Sequence, residues 1–317
     1  TGASAISGII SGSGGLTVAG TSATTLSAVN TYSGATNVNA NGTLTIANGG
    51  SIVSTSTVAA GGTMNVNVGG TAAGIGNAGT LMVAGSAGAV SNSGNGSNSG
   101  SIASLSNTGG TFTNTGIVSG TTTVSGGTVN LNAGSNLSNS AALTVSGGIV
   151  NVNTAETVGS LVANGGTTNV NATLTALALS GTAGSIVTTT PAGVIAGGSN
   201  TSTSFGGVIS GDGFLQKAGS GTLTLTNANT FTGGTTVSGG TLALTGAGAL
   251  SGPSITIDPL ATLSTDGGAL TILTTIRNDG TFALTAGGDE SIANIFNTGS
   301  SNPGAITLSS GSLLTLN

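Results

Sequence analysis

"GGTVNLN" at residues 126–132 is followed by "GGIVNVN" at 147–153 and "GGTTNVN" at 165–171. The three begin 21 and 18 residues apart, and "GGTMNVN" at 61–67 and "GGTFTNT" at 109–115 carry the pattern upstream. Each copy is a glycine pair followed by strict alternation. Successive side chains of a strand point to opposite faces. Val129 and Leu131 therefore share one face, and Thr128, Asn130 and Asn132 share the other. Val150 and Val152 are expected to stack on Val129 and Leu131 one coil later, with Thr168 and Val170 following. Thr168 interrupts the apolar column, so its hydroxyl needs a local backbone partner. Short strands, glycine corners and a period near 20 predict an all-β fold, a parallel β-helix (β-solenoid) of about 18–21 residues per coil. The outward columns are expected to be Asn130/Asn151/Asn169 and Asn132/Asn153/Asn171.

Composition supports that fold and excludes others. The 317 residues include 60 glycines, 4 prolines, no cysteine, no histidine and only 3% charged residues, where a compact domain carries about 25%. Disorder pairs low hydrophobicity with high charge, and here Val, Leu and Ile recur throughout. Collagen needs glycine at every third residue, and no such period exists. A lone coil buries too few side chains to offset roughly 1–2 kcal/mol of ordering cost per residue, so only stacked coils that share a core are stable. The whole chain, 1–317, reads as a single solenoid. The stretch 72–108 is weakly patterned. Its segment "SNSGNGSNSG" at 91–100 reads as a poorly packed coil or side loop, with a flexible linker and a tight, polar-cored coil as alternatives.

Charge limits function. The only cations are Lys217 and Arg277, and the net charge is −5. Nucleic acid needs clustered cations to neutralise phosphates, so no nucleic-acid partner is expected. No run of apolar residues is long enough for a membrane helix, and no membrane insertion by this chain is expected. Thr1 opens no basic leader, which fits a removed signal peptide or a piece of a longer product. Without cysteine or histidine, disulfides, thiolate zinc sites and the commonest general base are absent.

A second repeat overlies the first pattern. Residues 10–39 align with 209–238 without a gap: "IISGSGGLTVAG" answers "VISGDGFLQKAG" and "NTYSGATNV" answers "NTFTGGTTV". The two segments, 8–55 and 206–255, resemble the autotransporter-associated β-strand repeat, also called the passenger-associated transport repeat. In the second copy Gly211, Gly213, Leu215, Lys217, Gly219, Gly221, Leu223, Leu225, Asn229, Thr230, Phe231, Gly233, Thr235, Val237, Gly240 and Leu242 fall on the family pattern. Phe231 stands where the family usually has tyrosine, and the first copy keeps Tyr32. The first copy departs more: Val18 replaces the lysine and Thr24 a leucine. The resemblance implies a bacterial secreted or surface protein, a right-handed parallel β-helix, and passage across the outer membrane unfolded.

Candidate sites are few. The first charge after Thr1 is Glu156; Asp212, Lys217, Asp258, Asp266, Arg277, Asp279, Asp289 and Glu290 follow. Asp258 and Asp266 would be the pair for a glycosidase, but no aromatic or cationic residue accompanies them, and both read as turn residues, as do Asp212 and Asp279. "AGGDE" at 286–290 resembles a calcium turn around Asp289 without the repeated aspartate such turns use. Lys217 and Asp212 are expected to pair across a turn. Phenylalanines and Tyr32 are expected in the core rather than on a sugar-stacking surface. "TLTLT" at 222–226 resembles an ice-binding threonine array, but Thr-x-Thr does not recur in phase. No catalytic, metal or cofactor residue is assigned. The reading is a non-enzymatic extracellular or bacterial outer-surface solenoid: a stalk, adhesin or self-associating matrix and filament element with possible glycan contacts. A passive export spacer and, more weakly, a carbohydrate-active β-helix enzyme stand as alternatives. Strands without edge charge invite lateral or end-to-end association.

Overall fold

The computed structural model describes residues 2–267, 269–270, 274–285, 288–297 and 304–317. Among them there are strands of two to seven residues and turns, and no helix. The paired strands run parallel, as a solenoid requires. The chain divides into two compact units, Thr1–Leu143 with Gly147–Thr154 and Thr144–Ser146 with Ala155–Asn317. Each is a parallel β-solenoid.

In the first unit one sheet stacks Ala3–Ile6, Ala23–Leu26, Thr43–Ile46, Thr63–Val66, Thr80–Val83, Asn95–Asn98, Thr111–Asn114, Thr128–Leu131 and Ile149–Val152. A second sheet stacks Leu16–Val18, Thr36–Val38, Ser56–Val58, Ile75–Asn77, Ser86–Asn92, Ser101–Asn107 and Thr122–Val124. In the second unit Glu156–Val158, Leu174–Ala176, Gly193–Ala196, Phe214–Lys217, Thr235–Val237, Ser254–Ile257 and Thr275–Asn278 form one sheet, and Thr203–Phe205, Thr222–Leu225, Thr241–Leu244, Thr262–Thr265 and Thr281–Leu284 another.

The alternation sets the core as read. Val129 pairs with Val150 and Leu131 with Val152, and all four are fully buried. On the outer face Asn151 donates to Asn130 at 2.7 Å and Asn153 to Asn132 at 2.8 Å. Thr168 is buried, but its hydroxyl finds no partner, contrary to the backbone bond expected for it.

The stretch 72–108 is neither loop nor side excursion. It holds the tightest coils of the unit: the hydrogen-bonded pairs Asn77–Asn92 and Asn92–Asn107 are each 15 residues apart, against 21 for Asn130–Asn151. The asparagines point inward and are buried. Asn77 donates to Asn92 and Asn92 to Asn107, each at 2.7 Å, and a second rung joins Asn98 to Asn114 at 2.7 Å. Each amide also bonds a main-chain carbonyl, as Asn92 does to Gly94, Asn114 to Gly116 and Asn98 to Ile117. A buried polar column is stable when its donors and acceptors pair with one another. The glycine in this segment serves the core: a Cβ at Gly96 would stand 2.5 Å from the Phe112 ring, which fills that space from the next coil.

Candidate functional site

The sequence singles out the corner around Lys217, and the structure places it in the second unit. Alternation along Phe214–Lys217 turns Leu215 and Lys217 inward and Phe214 and Gln216 outward. Lys217 extends an inward column that runs from Val158 through the small side chains Ala176 and Ala196 and continues to Val237 and Ile257. Only 1% of the lysine is exposed. Its stem passes Gly197, where a Cβ would stand 3.3 Å from Cδ and Cε, and where φ is +102°.

The ammonium ends among carbonyl oxygens. Nζ donates to Ala218 O at 2.7 Å, Gly219 O at 2.9 Å and Gly239 O at 3.0 Å. The three donors of an ammonium are thereby satisfied by main chain. Burial nonetheless pulls the lysine pKa below its ordinary value, because the charged form loses hydration. This cage joins two corners, one from its own coil and one from the next. It clamps the two corners together through one buried side chain.

The expected Lys217–Asp212 pair is not formed. Asp212 lies at the surface, where Oδ1 accepts the Thr190 N–H at 2.8 Å and its carbonyl accepts the Thr190 hydroxyl at 2.7 Å. Asp279 is also not a simple surface turn: it is 1% exposed and binds Arg277 with Oδ2 at 2.7 Å from Nη2. Asp266 does sit at a turn and accepts the Gly246 N–H at 2.7 Å. Asp258 is half-buried in the turn after Ser254–Ile257.

Of the segment 286–290, residues 286 and 287 lie outside the described residues. Asp289 Oδ1 accepts the Leu313 N–H at 3.0 Å. Glu290 is buried and accepts the Ala269 and Leu270 N–H groups at 2.9 and 3.1 Å. Among the described residues no three acidic side chains gather into a metal-sized cluster. Glu156 is buried as well.

Aromatic placement follows the core reading with two departures, Phe214 and the 46%-exposed Phe296. Tyr32, Phe112, Phe205, Phe231 and Phe282 are fully buried. Phe214 faces outward beside a shallow groove of about 290 Å³. Threonine does recur in phase at one position of the strand, through Thr222, Thr241, Thr262 and Thr281, but the second position reads Thr224, Ala243, Ser264 and Ala283. The paired array therefore fails, as the sequence indicates.

The residues that join these coils are those of the family pattern, and the family model for the passenger-associated-transport-repeat matches residues 16–46 and 215–244. The chain carries two passenger-associated transport repeats. No curated protein matches it in sequence. Among solved structures it is similar to one titled "Crystal structure of TibC-catalyzed hyper-glycosylated TibA55-350 fragment", at 18% identity over 99% of this chain and 100% of that one, with a TM-score of 0.25. At that TM-score the likeness carries no argument about this chain's function. The two repeats thus bracket coils whose shared properties with them are period and composition.

Proposed function

We propose that the chain is a non-enzymatic, passenger-type structural solenoid of the autotransporter kind, secreted or held on a bacterial outer surface. It serves there as a stalk, adhesin or self-associating matrix and filament element. The observation that carries this reading is the pair of matched repeats set in parallel β-solenoid units. Their most specific polar residues, Lys217, Asn30 and Asn229, are spent on main-chain groups at corners. Chemistry at a substrate would need such groups exposed.

Self-association is supported by charge. No charged side chain occurs before Glu156 in the sequence, so the outward threonine and asparagine columns of the first unit meet no like-charge repulsion. Sedimentation velocity tests it: the expected result is concentration-dependent association at low salt. A chain that stays monomeric at high concentration would leave the second reading, a passive export and display spacer, which the transport association of the repeat favours.

A further inference from the structure

We propose that the groove around Phe214 binds a neutral sugar residue of a glycan. This goes beyond the structural role above and does not rest on self-association. The ring is half-buried at the start of Phe214–Lys217, on the outer face. It lies over Gly193 of the preceding coil, where a Cβ would stand 2.6 Å from its Cγ and Cδ1. The residue beside it in the next coil is Gly234, whose carbonyl accepts the Leu215 N–H. Glycine on both sides leaves the ring without side-chain cover from its own column.

Thr190, Pro191, Asp212, Phe214 and Gly233 line the groove across three successive coils. The Asp212 carboxylate is held in place there by the Thr190 N–H. Gln216 lies two residues along the same face, with its amide donating to Ser238 at 3.1 Å and its carbonyl left to accept. A pyranose presents one face of C–H bonds and a rim of hydroxyls. An aromatic ring beside a proline takes the first by dispersion and C–H/π attraction, and a carboxylate and an amide carbonyl accept from the second.

Charge selects the class. Of the chain's two cations, Lys217 is buried in its carbonyl cage and Arg277 binds Asp279. With Asp212 as the charge in the groove, sialylated or uronic sugars are repelled and neutral ones accepted.

The first repeat is an internal control. At the constant offset of the two copies, Ser13, Gly15 and Thr17 stand where the second has Asp212, Phe214 and Gln216. That coil forms the same parallel strand without an aromatic, through Leu16–Val18. The repeat fold therefore does not require Phe214 or Asp212.

The test is an array of neutral oligosaccharides ending in glucose, galactose, mannose or N-acetylglucosamine, beside sialylated ones, probed with the whole chain at a dilution where it sediments as a monomer. Binding to a neutral subset is expected, with affinity falling about tenfold in Phe214→Gly, which copies Gly15, and falling also in Asp212→Ala. Circular dichroism checks that both variants fold. Should either fail to fold, 19F-labelled phenylalanine in the wild-type chain gives the readout, and the Phe214 resonance alone should shift with a bound oligosaccharide. No neutral glycan bound, preference for sialylated glycans, unchanged affinity in Phe214→Gly, or an unmoved Phe214 resonance each overturns the site. A chain that binds glycan yet stays monomeric at high concentration would defeat self-association and leave this site standing.

Discussion

The two repeats share a scaffold and one buried asparagine staple, and differ at other buried polar points. Asn30 and Asn229 make the same three bonds. Asn30 accepts the Ile10 N–H at 2.9 Å and donates to Ala28 O at 2.8 Å and Ser51 O at 3.1 Å. Asn229 accepts the Ile209 N–H at 2.9 Å and donates to Asn227 O at 2.8 Å and Ala249 O at 3.1 Å. Two residues onward the copies part. Tyr32 reaches the Thr36 hydroxyl at 2.6 Å, and Thr36 reaches Ser54 at 3.1 Å. In the second copy Phe231, Thr235 and Gly252 occupy those places, and the Thr235 hydroxyl is buried without a partner. Conversely, the second copy has the caged Lys217 where the first has buried Val18. The asparagine is what both corners need; the hydroxyl chain and the lysine are two separate ways to fill what remains.

The strongest way to break that equivalence is at the asparagines. Asn229→Ala should strand one amide and two carbonyls, at about 1–3 kcal/mol for each group that water cannot reach. A total loss of about 3–4 kcal/mol is expected in urea denaturation. Asn30→Ala should cost the same within about 1 kcal/mol if the two staples are equivalent. A loss confined to one copy would show that the matching geometry conceals unequal roles.

The lysine offers the next largest effect. Lys217→Met keeps the apolar stem and removes three charge-assisted bonds, so a loss of about 2 kcal/mol is expected near neutral pH. The pH profile separates the clamp from simple packing. Burial lowers the folded-state pKa of Lys217. Between that value and the ordinary lysine pKa the unfolded chain binds more protons, so stability rises with pH across this window. Thermal melts of the wild type should show that rise relative to Lys217→Met. Identical profiles would mean that the ammonium is solvated in the folded chain.

How far these differences can be read from sequence depends on what the side chains bond to. Val129, Leu131, Val150 and Val152 announce their column because alternation and spacing suffice. The same rule misleads at 77, 92 and 107. There an inward residue is asparagine, and its partners are other asparagines 15 residues away and corner carbonyls. A polar residue in an apolar column reads as a solvated loop unless its repeat is recognised as a coil in its own right. Lys217 lies on the inward phase with Leu215, so its burial is implied by alternation, while its cage is made of main chain and leaves no mark on residue type. Asp279 hides for the opposite reason: "NDG" suggests a turn, and its ion pair with Arg277 is local but buried on the acid's side.

The smallest effects come from transferring parts between the copies. Phe231→Tyr should give Thr235 the partner Tyr32 gives Thr36. Gly252 leaves room, since a Cβ there would stand 3.9 Å from the Phe231 ring. A gain of about 1 kcal/mol is expected, with a matching loss in Tyr32→Phe. The corners exchange less. The matched segments differ by one residue, 16–46 against 215–244, and the extra residue falls in "NANG" at 39–42 against "SGG" at 238–240. Asn41 adopts φ +65° there, and Gly240 adopts φ +58°. Asparagine tolerates this left-handed region and glycine enters it without strain. Asn41→Gly should therefore move stability by no more than about 0.5 kcal/mol, whereas Asn41→Val, β-branched in the same conformation, should cost about 1–2 kcal/mol in the same denaturation assay. A large loss in Asn41→Gly would show that the longer corner depends on the asparagine side chain and not on its backbone angle.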